Sequence, residues 1–285
     1  MSSHVWRLVY RSLRRVNRRI PKEGRLCRYD DMIIVGMFLW ATFHDRPLCW
    51  AADRSNYSSL FRPRKLPSRS QFGRRIRTAR CQKLIDALNR ELSMLEGIPN
   101  LFVMDSRPLP LGSYSRDPDA RRGRAGGGFA KGYRLHALAT KQGQIVAWRL
   151  APMNRNDRSV ARELIEEACP QGIVLADRNY DSGTLYDLVQ EHGAQLLTPL
   201  PANAGRGHRR QSPARLSAVR MWKNGVETLY RERIEIERIF SRQSSFGGGL
   251  APLPAWVRRR VRVWRWVAAK LILYHARLAL RREAA

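Results

Sequence analysis

Acidic residues are scarce in this chain of 285: twenty-four Asp and Glu stand against fifty-three Lys and Arg, a formal charge of +29 at pH 7. Such an excess repels itself, and a folded protein carries it best when a polyanion neutralises it. Cysteine is scarce too. Cys27, Cys49, Cys81 and Cys169 lie far apart, which excludes a CxxC metal site and a dense disulfide frame and points to a reduced, cytosolic setting. The six histidines are scattered, none at metal-ligand spacing, so a zinc centre lacks support. Long uncharged apolar runs are missing, which argues against a bilayer span. The Arg-rich start also lacks the apolar run and small-residue cleavage site of a secretory signal. A soluble protein with no membrane partner is expected. With 44% apolar residues, the chain is neither disordered nor fibrous and can fill the core of one large domain or two smaller ones.

What abounds is arginine, whose planar fork suits phosphate oxygens and guanine edges better than a lysine point charge. Nucleic acid is therefore the first candidate partner. Charge alone also suits an RNA-packing protein or a genome whose codons favour Arg, so it names no enzyme.

Periodicity divides the chain. From His4 to Ile20, Val5, Leu8, Val9, Leu13, Val16 and Ile20 fall at helical spacing, with Arg7, Arg11, Arg14, Arg15 and Arg18 on the other side. Pro21 and Gly24 close this helix, and a far more apolar one is predicted from Asp30 to Phe43. A short helical piece is expected around Leu48 to Leu60. Ser68 and Gln71 have capping-box spacing and open a helix expected to run to about Leu95. After Gly97 the pattern changes. Leu101 to Met104 reads as a buried strand ending on Asp105, with Pro108 and Pro110 as its turn. Ser113 to Gly128 reads as an Arg- and Gly-rich exposed loop. Tyr133 to Thr140 and Ile145 to Leu150 form a predicted hairpin, and Asn156 or Asp157 caps a helix to Ala168. Ile173 to Ala176 is a second buried strand ending on an aspartate, Asp177. A helix from Ser182 to His192 and a strand from Gln195 to Thr198 follow. Residues 200–222 carry no clear element. A helix is expected from Glu227 through Glu237 to Ser241, stopped by Gly247, Gly248 and Gly249. A basic amphipathic helix follows from Pro254 to Arg282, with Val257, Val261, Trp264, Ala268, Leu271 and Leu278 as its apolar stripe. Trp256, Trp264 and Trp266 are expected to serve packing.

Strand, hairpin, helix, strand, helix, strand describes a mixed α/β sheet with helices on its faces. The expected organisation is an all-helical DNA-binding domain over 1–98, a catalytic domain over 99–250 and a C-terminal helical tail over 251–285.

Three carboxylates fit a particular chemistry. A phosphodiester is attacked in line, and two divalent cations roughly 3.5–4 Å apart activate the nucleophile and stabilise the leaving oxygen. Magnesium keeps several waters and takes one or two carboxylates per ion, so three converging carboxylates suffice. Asp105 and Asp177 each follow a buried strand, at the carboxyl ends where ligands collect in open α/β sheets. Glu237 lies on a late helix able to pack over those ends. Plainer roles exist for each: Asp105 before Ser106-Arg107-Pro108 suits a turn, Asp177 suits an Asx turn, and Glu237 sits among Glu232 and Glu235 on a charged helix.

The segments FVMDSRPL, KGYRLHALATKQGQIV, IVLADRNYDSGTLYDLV and YRERIEIERIF together resemble successive blocks of insertion-sequence transposases of the DDE type, over roughly residues 100 to 246. The resemblance implies a ribonuclease-H-like catalytic core whose carboxylates are Asp105, Asp177 and Glu237, serving as both catalytic residues and metal ligands for two Mg2+ ions, with Mn2+ as a substitute. The family signature Tyr-x-x-Arg-x-x-x-Glu falls on Tyr230, Arg233 and Glu237, selecting Glu237 over its neighbours. By the same resemblance, Tyr230 and Arg233 contact transposon-end phosphates. The family pattern has Lys or Arg seven residues after the Glu, where this chain has Ser244; Arg238 or Arg242 is the substitute.

Basic clusters supply further DNA surface. Arg121, Arg122, Arg124 and Lys131 lie among glycines that let backbone approach a phosphate, although a solvated loop would look the same. Arg69, Arg74, Arg75, Arg77 and Arg80 lie on the capped helix, as in a recognition helix, or else form a solvated face. His136 and Arg134 share one face of the strand beside Asp105; for His136 alone a structural role is the plainer one. The function expected is cleavage of transposon ends and joining of the freed 3′ hydroxyl to target DNA. Its partners would be double-stranded terminal repeats and target DNA, with the enzyme a homodimer on the DNA in the bacterial cytosol. The rivals are a noncatalytic nucleic-acid binder descended from a transposase and a stand-alone nuclease with the same core.

Overall fold

The computed structural model describes residues 3–21, 28–94, 97–112, 114–200, 211–244 and 249–283. It holds two compact units. The first comprises Met1–Met94, Gln243–Leu250 and Trp256–Ala285, and the second Leu95–Arg242 with Ala251–Ala255. Among the described residues no helix is long and apolar enough to cross a membrane.

The first unit is helical. α1 (Ser3–Arg19) buries Val5, Leu8, Val9, Leu13 and Val16 of the predicted stripe, while Ile20 falls just past its end and is half-buried. α2 (Asp31–Phe43) starts where the Asp30 carboxylate accepts from Met32 N, and it is buried along nearly its whole length. Trp6 of α1 meets Trp40 of α2 edge-to-face at 4.7 Å, with Phe43 and Phe61 packed on the same ring. The piece expected over Leu48 to Leu60 is two short 3₁₀ turns, Trp50–Ala52 and Arg54–Asn56.

The helix expected from Ser68 to Leu95 is two helices. The capping box is present: Ser68 Oγ accepts from Gln71 N, and Gln71 Oε1 accepts from Ser68 N. But α3 stops at Arg75 (Arg69–Arg75), and α4 (Ala79–Ser93) begins afresh at Thr78, whose hydroxyl caps Cys81 N. Ile76, fully buried, fixes the corner. The last helix, α10 (Arg260–Glu283), packs on α1, α2 and α4 within this unit. Enclosure by three helices buries it on most sides from Val263 to Ala276. The expected apolar stripe therefore shifts: Val261 is exposed, while Val263, Trp266, Val267 and even Arg265 and Lys270 are inside. Arg265 donates to Ile76 O at 3.3 Å and Lys270 pairs with Asp45, so the buried cations are matched.

The second unit is a mixed sheet: β1 (Leu101–Pro110), β2 (Arg121–Ala125), β3 (Gly128–Thr140), β4 (Ile145–Pro152), β5 (Gly172–Ala176) and β6 (Ala194–Leu197). β1 runs antiparallel to β3 and parallel to β5, and β5 is parallel to β6. β2 and β4 pair in turn with the other edge of β3. Leaving β2 aside, the order β4-β3-β1-β5-β6, with the first three antiparallel and the last two parallel to β1, is the ribonuclease-H-like arrangement. α5 (Asp157–Ala168) covers β3 and β4, while α6 (Gly183–Glu191) and α7 (Pro213–Lys223) cover β6. α7 occupies part of the stretch without a clear element, started by the Ser212 hydroxyl accepting from Arg215 N and by Pro213 at its first position. Residues 201–210 and the glycines Gly247 and Gly248 lie outside the described residues. The helix after Gly225 is interrupted: α8 (Glu227–Tyr230), a 3₁₀ turn (Arg231–Arg233) and α9 (Ile234–Ser244).

Two expectations change here. β1 does not end on Asp105 but continues through Pro108 to Pro110. Pairing with β5 stops at Met104, so beyond that point β1 has an open edge, where a proline's missing N–H costs no ladder bond. The second half of the expected Arg-rich loop is in fact a hairpin, β2 joined to β3 through Gly126 and Gly127, because a two-glycine turn closes antiparallel strands tightly, while residues 114–120 form no helix or strand.

Candidate active site

The last paired residues of the parallel β1 and β5 are Met104 and Ala176. Asp105 and Asp177 are the next residues along the chain, so the sheet register itself sets two carboxylates side by side where the parallel pairing of β1 and β5 stops. Such strands lie roughly 4.8 Å apart. Asp105 is mostly buried, and its acid is pushed up to about 6 by burial, with the charges of Asp177 and Glu237 adding to the effect. The Ser106 N–H, 2.7 Å from Oδ1, and the Arg233 guanidinium oppose the shift without cancelling it. Asp177 has a local duty as well, capping the following turn through Asn179 N at 2.8 Å. The Asx turn and a place in the site thus coexist.

Glu237 enters through Arg233. That guanidinium donates to Asp105 Oδ2 at 3.3 Å and to Glu237 Oε1 at 2.9 Å. The neighbouring glutamates are committed elsewhere: Glu232 pairs with Lys141, and Glu235 with Arg238 and Arg242. Spacing along the helix had left these three alike; only Glu237 is tied to the aspartates. The Tyr230 hydroxyl donates to Ala176 O at 3.0 Å, anchoring α8 one residue before Asp177. Arg107, which no sequence signal singled out, donates to Phe240 O and so ties β1 to α9.

A fourth carboxylate joins them. Asp157 takes the first position of α5 because Asn156 is the cap, its side chain accepting from Arg158 N. Asp157 accepts from Arg134 through both oxygens at 3.0 Å and from the Ser106 hydroxyl at 3.3 Å. His136 Nδ1 stands 3.6 Å away, but burial lowers this imidazole to about 4, leaving it neutral at pH 7 and a packing residue. The Tyr180 hydroxyl, fully buried, is held protonated by burial and by the charges of Asp105, Asp157 and Asp177. Asp157 escaped the sequence reading because its capping role was explanation enough; the alternation of Arg134 and His136 on one strand face was the available signal.

Asp105, Asp157 and Asp177 open onto one groove of about 830 Å³, together with Arg122, Arg124, Arg134, Arg155, Arg158 and Asn179. A separate apolar cavity of about 300 Å³ in the helical unit, walled by Phe38, Ile76 and Trp266, contains no carboxylate. The chemistry belongs to the groove.

The basic candidates divide. Arg121 and Lys131 are spent on backbone carbonyls, Arg121 on Pro118 O at 2.7 Å and Lys131 on Ser115 O at 3.0 Å. Arg122 and Arg124 are exposed on the groove, and among the described residues neither forms an ion pair. In the helical unit Arg74 is exposed, whereas Arg75 turns inward to Asp31 at 2.6 Å. Arg238 is exposed beyond its pair with Glu235. The side chain of Ser244 lies outside the description.

Hard, crowded carboxylate oxygens are the donors a divalent cation takes, and the charge on Asp105, disfavoured first by burial and then by Asp177 and Glu237, is one that such a cation would stabilise. Asp105 and Asp177 fit that role. Glu237 faces them across Arg233, and as the side chains stand no three acidic, His or Cys groups among the described residues converge closely enough to hold one ion.

The sheet is of the ribonuclease-H-like class, with acidic residues just past the last paired residues of its first and fourth core strands. Residues 96–272, more than half the chain, match the transposase DDE domain family, and the chain belongs to that family. No curated protein matches it. A solved structure, the piggyBac transposase in a synaptic complex with hairpin DNA, is 13% identical with a TM-score of 0.39, over 70% of this chain and 48% of that one. The chain thus spans about half the length of that transposase.

Proposed function

We propose that this protein is a DNA transposase that cuts transposon ends and joins the freed 3′ hydroxyl to target DNA, with Asp105, Asp177 and Glu237 as its catalytic carboxylates. The observation that carries this is the register: Asp105 and Asp177 directly follow the last paired residues of neighbouring parallel strands. Divalent cations, Mg2+ or Mn2+, would be held by Asp105 and Asp177, with Glu237 as the third ligand, and would supply water activation and relief of charge on the phosphate. The chain's own residues do the rest. Arg122 and Arg124 on the hairpin and Arg158 across the groove bind phosphate oxygens, and Arg134 fixes Asp157 at the groove wall. Arg107 and Tyr230 hold the glutamate helix against the strand ends. The exposed Arg69, Arg74 and Arg77 of the helical unit add DNA affinity, and two copies hold the paired ends during reaction in the cytosol.

The test is incubation with supercoiled plasmid and with a duplex bearing the element's own terminal repeat, in Mg2+ or Mn2+ and again in EDTA. Wild type is expected to nick and join DNA only with metal, and Asp105→Asn, Asp177→Asn and Glu237→Gln to lose this while still binding DNA. Cleavage by Asp105→Asn would refute the assignment. Cleavage without joined products would make the protein a nuclease instead.

A further inference from the structure

The hairpin that replaced the expected loop has two unlike faces. Arg124 pairs with Phe129 and Arg122 with Lys131 across the strands, so these four side chains share one face. The other face carries Arg121 at one end and is otherwise made of small residues, among them Gly123, Ala130 and Gly132. A Cβ on Gly123 would lie 2.4 Å from Met153 O, and one on Gly132 2.4 Å from Leu109 O. The glycine face therefore lies flat on β1 and the end of β4, and the opposite face is turned to the groove. There Phe129 is 76% exposed and lines the same groove as Arg122, Arg124, Asp105 and Asp177.

A single exposed apolar side chain is ordinary on a protein surface. This one differs in its neighbours. It stands beside Arg122 and Arg124, which form no ion pair among the described residues, on a tight hairpin lining the groove that holds the aspartates. Nucleic acid offers both partners such a surface needs: phosphates for the arginines and the flat apolar face of a base for the ring. In a duplex that face is covered by stacked neighbours, so a base meets Phe129 only when it is unpaired or swung out of the helix.

We propose that Phe129 is a stacking platform for an unpaired nucleobase next to the phosphate being cut, with Arg122 and Arg124 holding the flanking phosphates. The preferred substrate is then DNA with a locally unpaired nucleotide at the cleavage site. This rests on the transposase reading of the groove.

The experiment measures binding of the full chain, in EDTA, to a fully paired terminal-repeat duplex and to the same duplex with one unpaired nucleotide at the cut site. The unpaired position carries 2-aminopurine, whose fluorescence reports stacking. Wild type is expected to favour the unpaired substrate by roughly tenfold and to quench the probe. Phe129→Ala should bring that ratio to about one and abolish quenching, and Phe129→Trp should keep both. Far-UV circular dichroism confirms that each variant folds. An unchanged ratio in Phe129→Ala, or a wild type with no preference, overturns the stacking role while leaving the transposase reading intact. A wild type that binds neither duplex overturns both.

Discussion

Arg233 stands between Asp105 and Glu237, 3.3 Å from one carboxylate and 2.9 Å from the other. Its guanidinium holds an oxygen of each carboxylate, and a cation bound by Asp105 and Glu237 would compete with it for them. Removal of the competitor has a direct consequence. Arg233→Gln, without DNA, is expected to bind Mn2+ about fivefold more tightly, the equivalent of ~1 kcal/mol for a half-buried pair. Electron paramagnetic resonance of free Mn2+ measures this, and equal affinity in both proteins would show that the bridge does not oppose the metal.

Asp105 should cost the fold stability. Its native pKa, about 6 against an ordinary 3.8, means that the native state holds the proton more tightly than the unfolded chain. Stability is therefore lost as pH rises from about 4 to about 6, and the whole penalty is present above that. Asp105→Asn should add about 1–3 kcal/mol at pH 7 in EDTA, with a gain that shrinks toward zero near pH 4. Urea unfolding at the two pH values tests this, and a gain independent of pH would locate its cause elsewhere.

The hairpin's position depends on two missing side chains. Gly132→Ala puts a methyl group 2.4 Å from Leu109 O and 2.9 Å from Met153 Cε. It should cost about 1–3 kcal/mol by overpacking and weaken DNA binding with it. Gly127→Ala meets nothing within 4 Å and is the control. Equal stability of the two variants in thermal melts would mean that the hairpin does not press on β1.

In the helical unit, two adjacent arginines should separate by function. Arg75→Ala breaks a half-buried pair with Asp31 and is expected to lose about 1–3 kcal/mol in denaturant. Arg74→Ala should change stability by no more than ~0.5 kcal/mol but flatten the salt dependence of DNA binding by about one unit of slope. The reverse pattern would move the DNA surface to the other side of α3.

Local chemistry wrote much of this structure legibly. The Ser68 capping box, the α1 stripe as far as Val16 and the apolar runs before Asp105 and Asp177 all depend on neighbours within a few residues and form as their spacing predicts, while of the two cap candidates, Asn156 and Asp157, the structure uses Asn156. The resemblance to transposases placed Glu237 ahead of Glu232 and Glu235, and the family match to residues 96–272 bears out the class. What the sequence could not state was pairing. That β1 runs on past Asp105 follows from where β5 stops, and that residues 121–132 make a hairpin follows from a surface on which only glycine backbone fits. The inward Arg75, the buried stripe of α10 and the entry of Asp157 into the groove were equally unreadable, because each depends on a partner many residues away. Periodicity records which side chains avoid water; only the folded chain decides which charges meet, because Coulomb attraction and hydrogen bonding act through distance in space rather than along the backbone.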